Sequence, residues 1–281
     1  MPKSIVFSDI DGTICFHKEI NHIAHVEILP SGLHRVHGPD SSETFDSHDV
    51  STSSYTIYFA EETRQRLIEL SKNFRIVLAT GGRPSTCQKR AHLFTFAEAF
   101  IAENGGVIFD AQFNRDEAWW EYLAPQRKLL DEVKKYIESY QWKLDGEGRS
   151  SGIRVRLKDN PHKNAEKFAR LCEAVRLPTG LQSTMNLENL DIILQDAGKD
   201  KAVSYYLESR GLSKALSHGL GDDINDAAFL RICQYQYVLQ SAFPPVLEEA
   251  RKKGWFISHK SSFEGIHEIL HSITQSVSYK I

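Results

Sequence analysis

The sequence predicts an α/β protein whose core is a doubly wound, mostly parallel sheet with a separate α+β unit inserted into it. Three observations carry this. Short apolar, β-branched runs such as Ile5-Val6-Phe7 and FRIVLAT (Phe74 to Thr80) alternate with helical stretches, as strands buried on both faces do. Three runs end in polar constellations: Asp9-Ile10-Asp11-Gly12-Thr13, Thr80-Gly81-Gly82-Arg83, and Gly219-Leu220-Gly221-Asp222-Asp223-Ile224-Asn225-Asp226. Sheets of this kind bind ligands at the carboxyl ends of their strands. The 281 residues also exceed the roughly 150 of a typical single domain, which leaves room for a second unit.

In chain order, the first strand at Ile5 to Phe7 feeds the first acidic loop. EETRQRLIELSK, Glu61 to Lys72, has acids in its first turn and a lysine in its last, which suits a helix dipole, and the second buried strand follows it. Pro84 starts another helix. Ala99 to Ala102 and Val107 to Phe109 flank Asn104-Gly105-Gly106, the chemistry of a hairpin turn or strand end. Glu121 to Tyr140 and residues 161 to 176 read as helical. IRVRL, Ile153 to Leu157, alternates apolar residues with arginine in the period of a half-exposed strand. After Leu190 to Leu194 the alternation resumes: a helix from Lys199 to Arg210, a strand ending at Gly221, a helix from Asp226 to Arg231, a strand from Tyr235 to Leu239 and a helix from Pro244 to Lys253.

Composition excludes several classes. With 41% hydrophobic and 25% charged residues the chain is an ordinary globular one, neither disordered nor collagenous. The formal charge of -3 gives no electrostatic reason to expect a nucleic acid or an anionic membrane as partner. No apolar run approaches the roughly 20 residues of a membrane helix, and MPKSIVFSDIDG runs into a strand without a signal-peptide layout, so a cytoplasmic location is expected. Cys15, Cys87, Cys172 and Cys233 show no CxxC spacing and are read as reduced thiols. Oligomeric state is not legible.

Asp9 and Asp11, two carboxylates at i and i+2 just past a strand, point into one space, where their repulsion calls for a cation such as Mg²⁺. Asp222, Asp223 and Asp226 could complete the site. A single DxDGT could be a mere turn; two acidic loops at two strand ends of one sheet argue for a site.

In these loops the sequence resembles the haloacid dehalogenase (HAD) superfamily, whose four motifs occur in order over most of the chain. The resemblance implies a HAD-like core in 1–118 and 197–281 and an α+β cap domain in 119–196, as in the Cof-type and sucrose-phosphatase-like branch with a large cap between motifs two and three. Asn104-Gly105-Gly106 and Leu190-Asp191-Ile192 also resemble that branch. By this likeness Asp9 matches the nucleophile, Asp11 the general acid/base and Thr80 the motif-two hydroxyl. The motif-three lysine is Lys199, or Lys201 if Asp200, where the family has Gly, shifts the register. TGGR has one Gly more than the common TGR, which affects the place of Arg83. Asp9, Asp11 and Asp222 would hold Mg²⁺, supported by Asp223, Asn225 and Asp226. Gly12, Thr13, Gly81, Arg83 and Asn104 would contact substrate.

The implied activity is a Mg²⁺-dependent phosphatase that hydrolyses a small phosphorylated metabolite, such as a sugar phosphate, through an aspartyl phosphate. A phosphomutase of the same fold and a catalytically idle binding protein are the alternatives. The period of two puts Arg154 and Arg156 on one strand face, where they either select the substrate or form a solvated basic face paired with acids. Between motifs one and two, residues 14 to 60 hold six of the twelve histidines, His17, His22, His25, His34, His37 and His48. Their spacing lacks a zinc template, and a solvated flap or hairpin is expected. Trp119-Trp120 is read as packing near the cap hinge rather than as a sugar-stacking platform.

Overall fold

Ile5, Val6 and Phe7 are at most 1% exposed, and the strand they form, β1 (Ser4–Ser8), stands mid-sheet with a parallel neighbour on each side. The computed structural model describes residues 3–38, 43–52, 55–145, 148–156, 159–160, 166, 170, 177–186 and 189–278. From β1 the chain continues through β2 (Phe16–His17), β3 (Ala24–Ile28), β4 (His34–His37), β5 (Thr44–Asp49) and β6 (Ile57–Ala60). Then come α1 (Glu61–Ser71), β7 (Phe74–Ala79), α2 (Pro84–Arg90), β8 (Ala99–Ala102), β9 (Val107–Asp110), α3 (Glu117–Tyr122) and α4 (Ala124–Ser139). It ends with β10 (Gly152–Arg156), β11 (Leu181–Asn186), β12 (Asn189–Leu194), α5 (Lys199–Ser209), β13 (Ser217–Gly221), α6 (Ile224–Leu230), β14 (Tyr235–Val238), α7 (Pro244–Lys253), β15 (Phe256–Ile257) and α8 (Ser262–Ser278).

The main sheet has the order β15-β14-β13-β1-β7-β8-β9, all parallel except the β8–β9 hairpin. Ser8 lies opposite both Leu78 and Leu220, so β1, β7 and β13 end at one level and deliver their loops to one place. A second sheet, β10-β12-β11, is antiparallel, with α4 on its apolar side, where Ile153 and Val155 are buried. No helix among the described residues is long and apolar enough to cross a membrane.

Three expectations need correction. The segment 14–60 is no mere flap or hairpin: it builds a third sheet, antiparallel in the order β2-β6-β5-β4-β3. Its inner face rests on α1 and α8, where Phe16 and Phe45 each pack 4.9 Å from the Phe263 ring. Strands such as AHVEI and HRVH carry too few apolar residues to alternate visibly, since only their far edge meets the core. The expected helix 121–140 is two, α3 and α4. They meet at Leu123 because Pro125 has no N–H to donate and its ring excludes the preceding carbonyl. The C-terminal helix α8 is not among the expected elements, although Phe263, Ile266, Ile269, Leu270 and Ile273 repeat at helical spacing and are all buried. The expected helix 161–176, Leu157 and Cys172 lie outside the described residues, apart from the helical positions Glu166 and Arg170. Cys15, Cys87 and Cys233 are free and buried. Trp119 is buried with its indole N–H donated to the Gly105 carbonyl at 2.9 Å, and Trp120 lies between the guanidiniums of Arg115 and Arg127, at 4.0 and 3.4 Å.

His267 on α8 shows the cost of this packing. Its Nε2 lies 3.0 Å from Thr63 Oγ1 and its Nδ1 3.7 Å from Glu62 on α1. Burial pushes the imidazole pKa down to about 4, against the pull of Glu62 and with help from Arg66. In the unfolded chain the ring titrates near ~6.5, so below that pH the unfolded state takes up a proton that the folded state refuses. Stability from this residue is therefore full above about pH 6.5 and declines as pH falls toward 4. An NMR titration should place the His267 midpoint near 4, and urea unfolding of His267→Gln should depend less on pH between 7 and 4 than wild type; equal slopes would refute this.

Candidate active site

The loop after β1 is held to the end of β13 by the Asp9 N–H, which donates to the Leu220 carbonyl at 2.9 Å. Gly12 has φ +102°, and a Cβ there would fall 2.2 Å from Asp222 Oδ2, so only glycine lets the two acidic loops touch. The next hydroxyl, Thr13, donates to Asp222 Oδ1 at 2.7 Å.

Lys199, the first residue of α5, extends its ammonium between two buried carboxylates, 2.6 Å from Asp9 Oδ1 and 2.6 Å from Asp226 Oδ1. The other Asp226 oxygen accepts the backbone N–H groups of Asp222 and Asp223, each at 3.1 Å, while Asp223 caps the helix α6. Lys201, the alternative, is exposed and donates to the Gln195 carbonyl and, at 3.3 Å, to Asp196. Of the two lysines only Lys199 reaches the cluster.

Carboxylate oxygens of Asp9, Asp222 and Asp226 lie within 4.8 Å of one another. Burial, with Asp226 and Asp222 adding to it, raises Asp9 against the pull of Lys199, and burial with Asp226 beside it pushes Asp222 up to about 8, against the Thr13 hydrogen bond. Burial lowers Lys199, but Asp226 and Asp9 more than offset it and the ammonium is held charged. Three carboxylates facing one ammonium leave negative charge uncompensated, and oxygen donors of this kind suit a hard divalent cation. Asp226, already occupied by Lys199 and two backbone donors, is a support; Asp9 and Asp222 have oxygens to offer. Asp11 stands apart from this trio, its Oδ1 accepting from Arg90 Nη1 at 2.8 Å.

At the end of β7, Thr80 Oγ1 accepts the Gly82 N–H at 2.9 Å, and the Thr80 carbonyl accepts the Asn104 N–H at 3.1 Å. Gly81 packs against the Asn104 side chain, whose Oδ1 is 3.4 Å from Asn225 Nδ2. Thr80, Gly81, Asn104 and Asn225 thus border the acidic loops. Arg83 turns to Asp145, in the stretch that leads into β10. Arg154 makes a bidentate pair with Asp191 at 2.5 and 2.6 Å, and Arg156 pairs with Asp159 at 2.5 Å and stands 3.8 Å from Asp145. Both cap arginines therefore already face carboxylates of their own unit.

Several residues of this assembly carried no sequence signal. Arg90 is buried and ties Asp11 to the Val50 carbonyl, in the turn between β5 and β6, with bonds of 3.0 and 2.7 Å to the latter. Glu103, buried, accepts the N–H groups of Ser150 and Ser151 and so fixes the entry to β10. Asp145 binds Arg83. Each is one charged residue in a stretch without a motif, and only the fold makes it a partner.

Replacing a buried ammonium leaves its carboxylates unpaired. Lys199→Met, measured by urea unfolding at pH 7 with EDTA, should therefore cost about 3 kcal/mol or more, whereas Lys201→Met should stay within about 0.5 kcal/mol. Equal effects would refute the assignment of the buried charge partner.

No protein-family model matches the chain, and no curated protein does. Solved structures do. The sucrose-phosphatase from Synechocystis sp. PCC6803, in complex with sucrose and phosphate, is similar over 98% of this chain and 99% of its own, with 16% identity and a TM-score of 0.63. A haloacid dehalogenase-like hydrolase from Bacteroides thetaiotaomicron is similar over 97% of this chain and 100% of its own, with 14% identity and a TM-score of 0.64. One from Bacillus subtilis gives 17% identity and a TM-score of 0.52 over 96% of this chain and 92% of its own. With acidic loops at the ends of β1 and β13, a buried lysine between them and likeness along nearly the whole chain, the protein has the haloacid dehalogenase-like fold.

Proposed function

We propose that the protein is a Mg²⁺-dependent phosphomonoester hydrolase acting in the cytoplasm on a small phosphorylated metabolite, a sugar phosphate or a close relative. Residues 1–118 and 197–281 form its catalytic core and 119–196 its cap. The observation that carries the reading is the buried triad of Asp9, Lys199 and Asp226 beside Asp222, at the carboxyl end of the central strand. The likeness to a sucrose-phosphatase that binds sucrose and phosphate supports the substrate class.

In this reading an Asp9 oxygen attacks phosphorus and the ester oxygen leaves, giving an aspartyl phosphate that splits one hard displacement into two easier ones. Lys199 holds the Asp9 carboxylate in place and offsets charge on the phosphoryl oxygens. Asp11, oriented by Arg90, protonates the leaving oxygen and then takes a proton from the water that hydrolyses the acyl phosphate. The Gly81 N–H and the Thr80 hydroxyl bind phosphate oxygens, while Gly12 and Thr13, whose N–H groups serve the Cys15 and Ile10 carbonyls, shape the loop beside them. Asp9 and Asp222 would hold Mg²⁺, without the Asp11 carboxylate that Arg90 holds apart from them, and the ion when bound supplies positive charge to the phosphoryl oxygens. Arg83, Asn104, Arg154 and Arg156 border the leaving group.

Asp9→Asn should abolish Mg²⁺-dependent release of phosphate from nitrophenyl phosphate while leaving the circular dichroism spectrum unchanged, because an amide is not a nucleophile. Activity that persists both in this variant and in wild type with EDTA would sink the mechanism. Asp11→Asn should lose at least ~10-fold more rate on a hexose phosphate than on nitrophenyl phosphate, since only the alkoxide needs a proton. Equal losses under single-turnover conditions would remove Asp11 from the role of general acid.

A further inference from the structure

The third sheet contains three imidazoles with a buried nitrogen that has no hydrogen-bond partner: His17 Nδ1, His25 Nε2 and His34 Nδ1. A buried polar atom without a partner is uncommon in a native structure and calls for an explanation. His25 and His34 pack on each other at 5.1 Å and on Tyr58 at 6.3 and 5.6 Å, and no third ligand group joins them among the described residues. His17 is placed differently. It ends the edge strand β2, only a few residues beyond the acidic loop, and lies opposite Ile57, whose carbonyl accepts the N–H of Val50, the residue that Arg90 ties to Asp11.

Against His17 stands Tyr55, edge to face, with ring centroids 5.1 Å apart and planes at 88°. Tyr55 is 48% exposed. His17 and Tyr55 thus stand on the part of the third sheet and its β5–β6 turn that Arg90 ties to Asp11.

The chemistry of this rim is specific. An exposed aromatic face attracts the C–H face of a saturated ring, and a neutral imidazole nitrogen exchanges a hydrogen bond with a hydroxyl. Resting on the hydrolase reading above, we propose that Tyr55 and His17 form a wall of the leaving-group pocket on the Asp11 side, and that this wall selects a polyhydroxylated ring. Substrate choice is then shared between the cap and the sheet inserted between motifs one and two.

The test compares two substrates in one preparation. Glucose 6-phosphate, fructose 6-phosphate and sucrose phosphate are screened, and the best is set against acetyl phosphate, whose leaving group is too small to reach Tyr55. The ratio of the two kcat/KM values should fall ~10-fold in Tyr55→Ala and in His17→Ala and recover in Tyr55→Phe, which keeps the ring. A partly unfolded variant lowers both rates together and leaves the ratio intact, so the readout separates selection from stability. A ratio unchanged within twofold in both alanine variants overturns the proposal, and a fall in only one overturns the role of the other residue. Asp9-dependent hydrolysis of acetyl phosphate with none of the sugar phosphates overturns the wall while sparing the hydrolase. If wild type shows no Asp9-dependent turnover at all, the hydrolase reading fails and takes this inference with it.

Discussion

One buried ammonium between two buried carboxylates constrains everything around it. Lys199 sits 2.6 Å from both Asp9 and Asp226, almost without solvent, so each partner must come from a segment whose position is fixed by the fold. Asp9 comes from the end of the central strand, Asp226 from the first turn of a helix after a second strand, and Lys199 from the start of a helix that follows the second sheet. Charges so deeply buried hold together only when paired and hydrogen-bonded, and the two backbone donors on Asp226 complete that requirement. The carboxylates outnumber the ammonium, which leaves the site with a demand for positive charge that it does not meet from its own side chains.

Close backbone approach is the second constraint. Gly12 lets one acidic loop lie on the Asp222 carboxylate. Gly105, at φ +94°, lets the turn between β8 and β9 touch the Gly198 carbonyl, where a Cβ would come within 2.2 Å. That contact joins the rim carrying Asn104 to the residue just before Lys199. Glu103 and Asn104 themselves adopt left-handed backbone at φ 51° and 54°, a conformation that costs energy in a non-glycine residue and persists because β8, β9 and the Ser150–Ser151 backbone hold it. The turn is thus a mechanical link between the loops at the strand ends and the segment that enters β10.

Around this fixed centre, charge pairs add to the apolar packing that joins the two inserted sheets to the core. Arg90 reaches from α2 to both Asp11 and the Val50 carbonyl, so the third sheet and the acid/base candidate share one guanidinium. Arg83 and Asp145 join the motif-two loop to the cap. Such pairs orient their partners through fork-shaped hydrogen bonding, a property of arginine that lysine lacks.

How much of this was legible in the sequence follows from the range over which each signal acts. Apolar runs and their turn chemistry are local, so the main sheet, most helices and the three loops at strand ends could be read directly, and with them Asp9, Asp11, Thr80, Asp222 and Asp226. The family likeness singled out Lys199 or Lys201, but helix geometry chose between them, because burial of one and exposure of its neighbour two residues on depends on which face of α5 meets the core. The five-stranded sheet was hidden because its outer strands are polar and find their apolar support in α8, more than two hundred residues away in sequence. Arg90, Glu103, Asp145 and Tyr55 belong to the same category: a lone charge or ring has no periodicity to reveal it, and its partner is fixed only when distant strands close into one sheet. The sequence by itself determined the chemistry at the strand ends, since that resides in contiguous residues; the tertiary structure alone decided which side chains surround it, since those contacts join residues that chain order keeps apart.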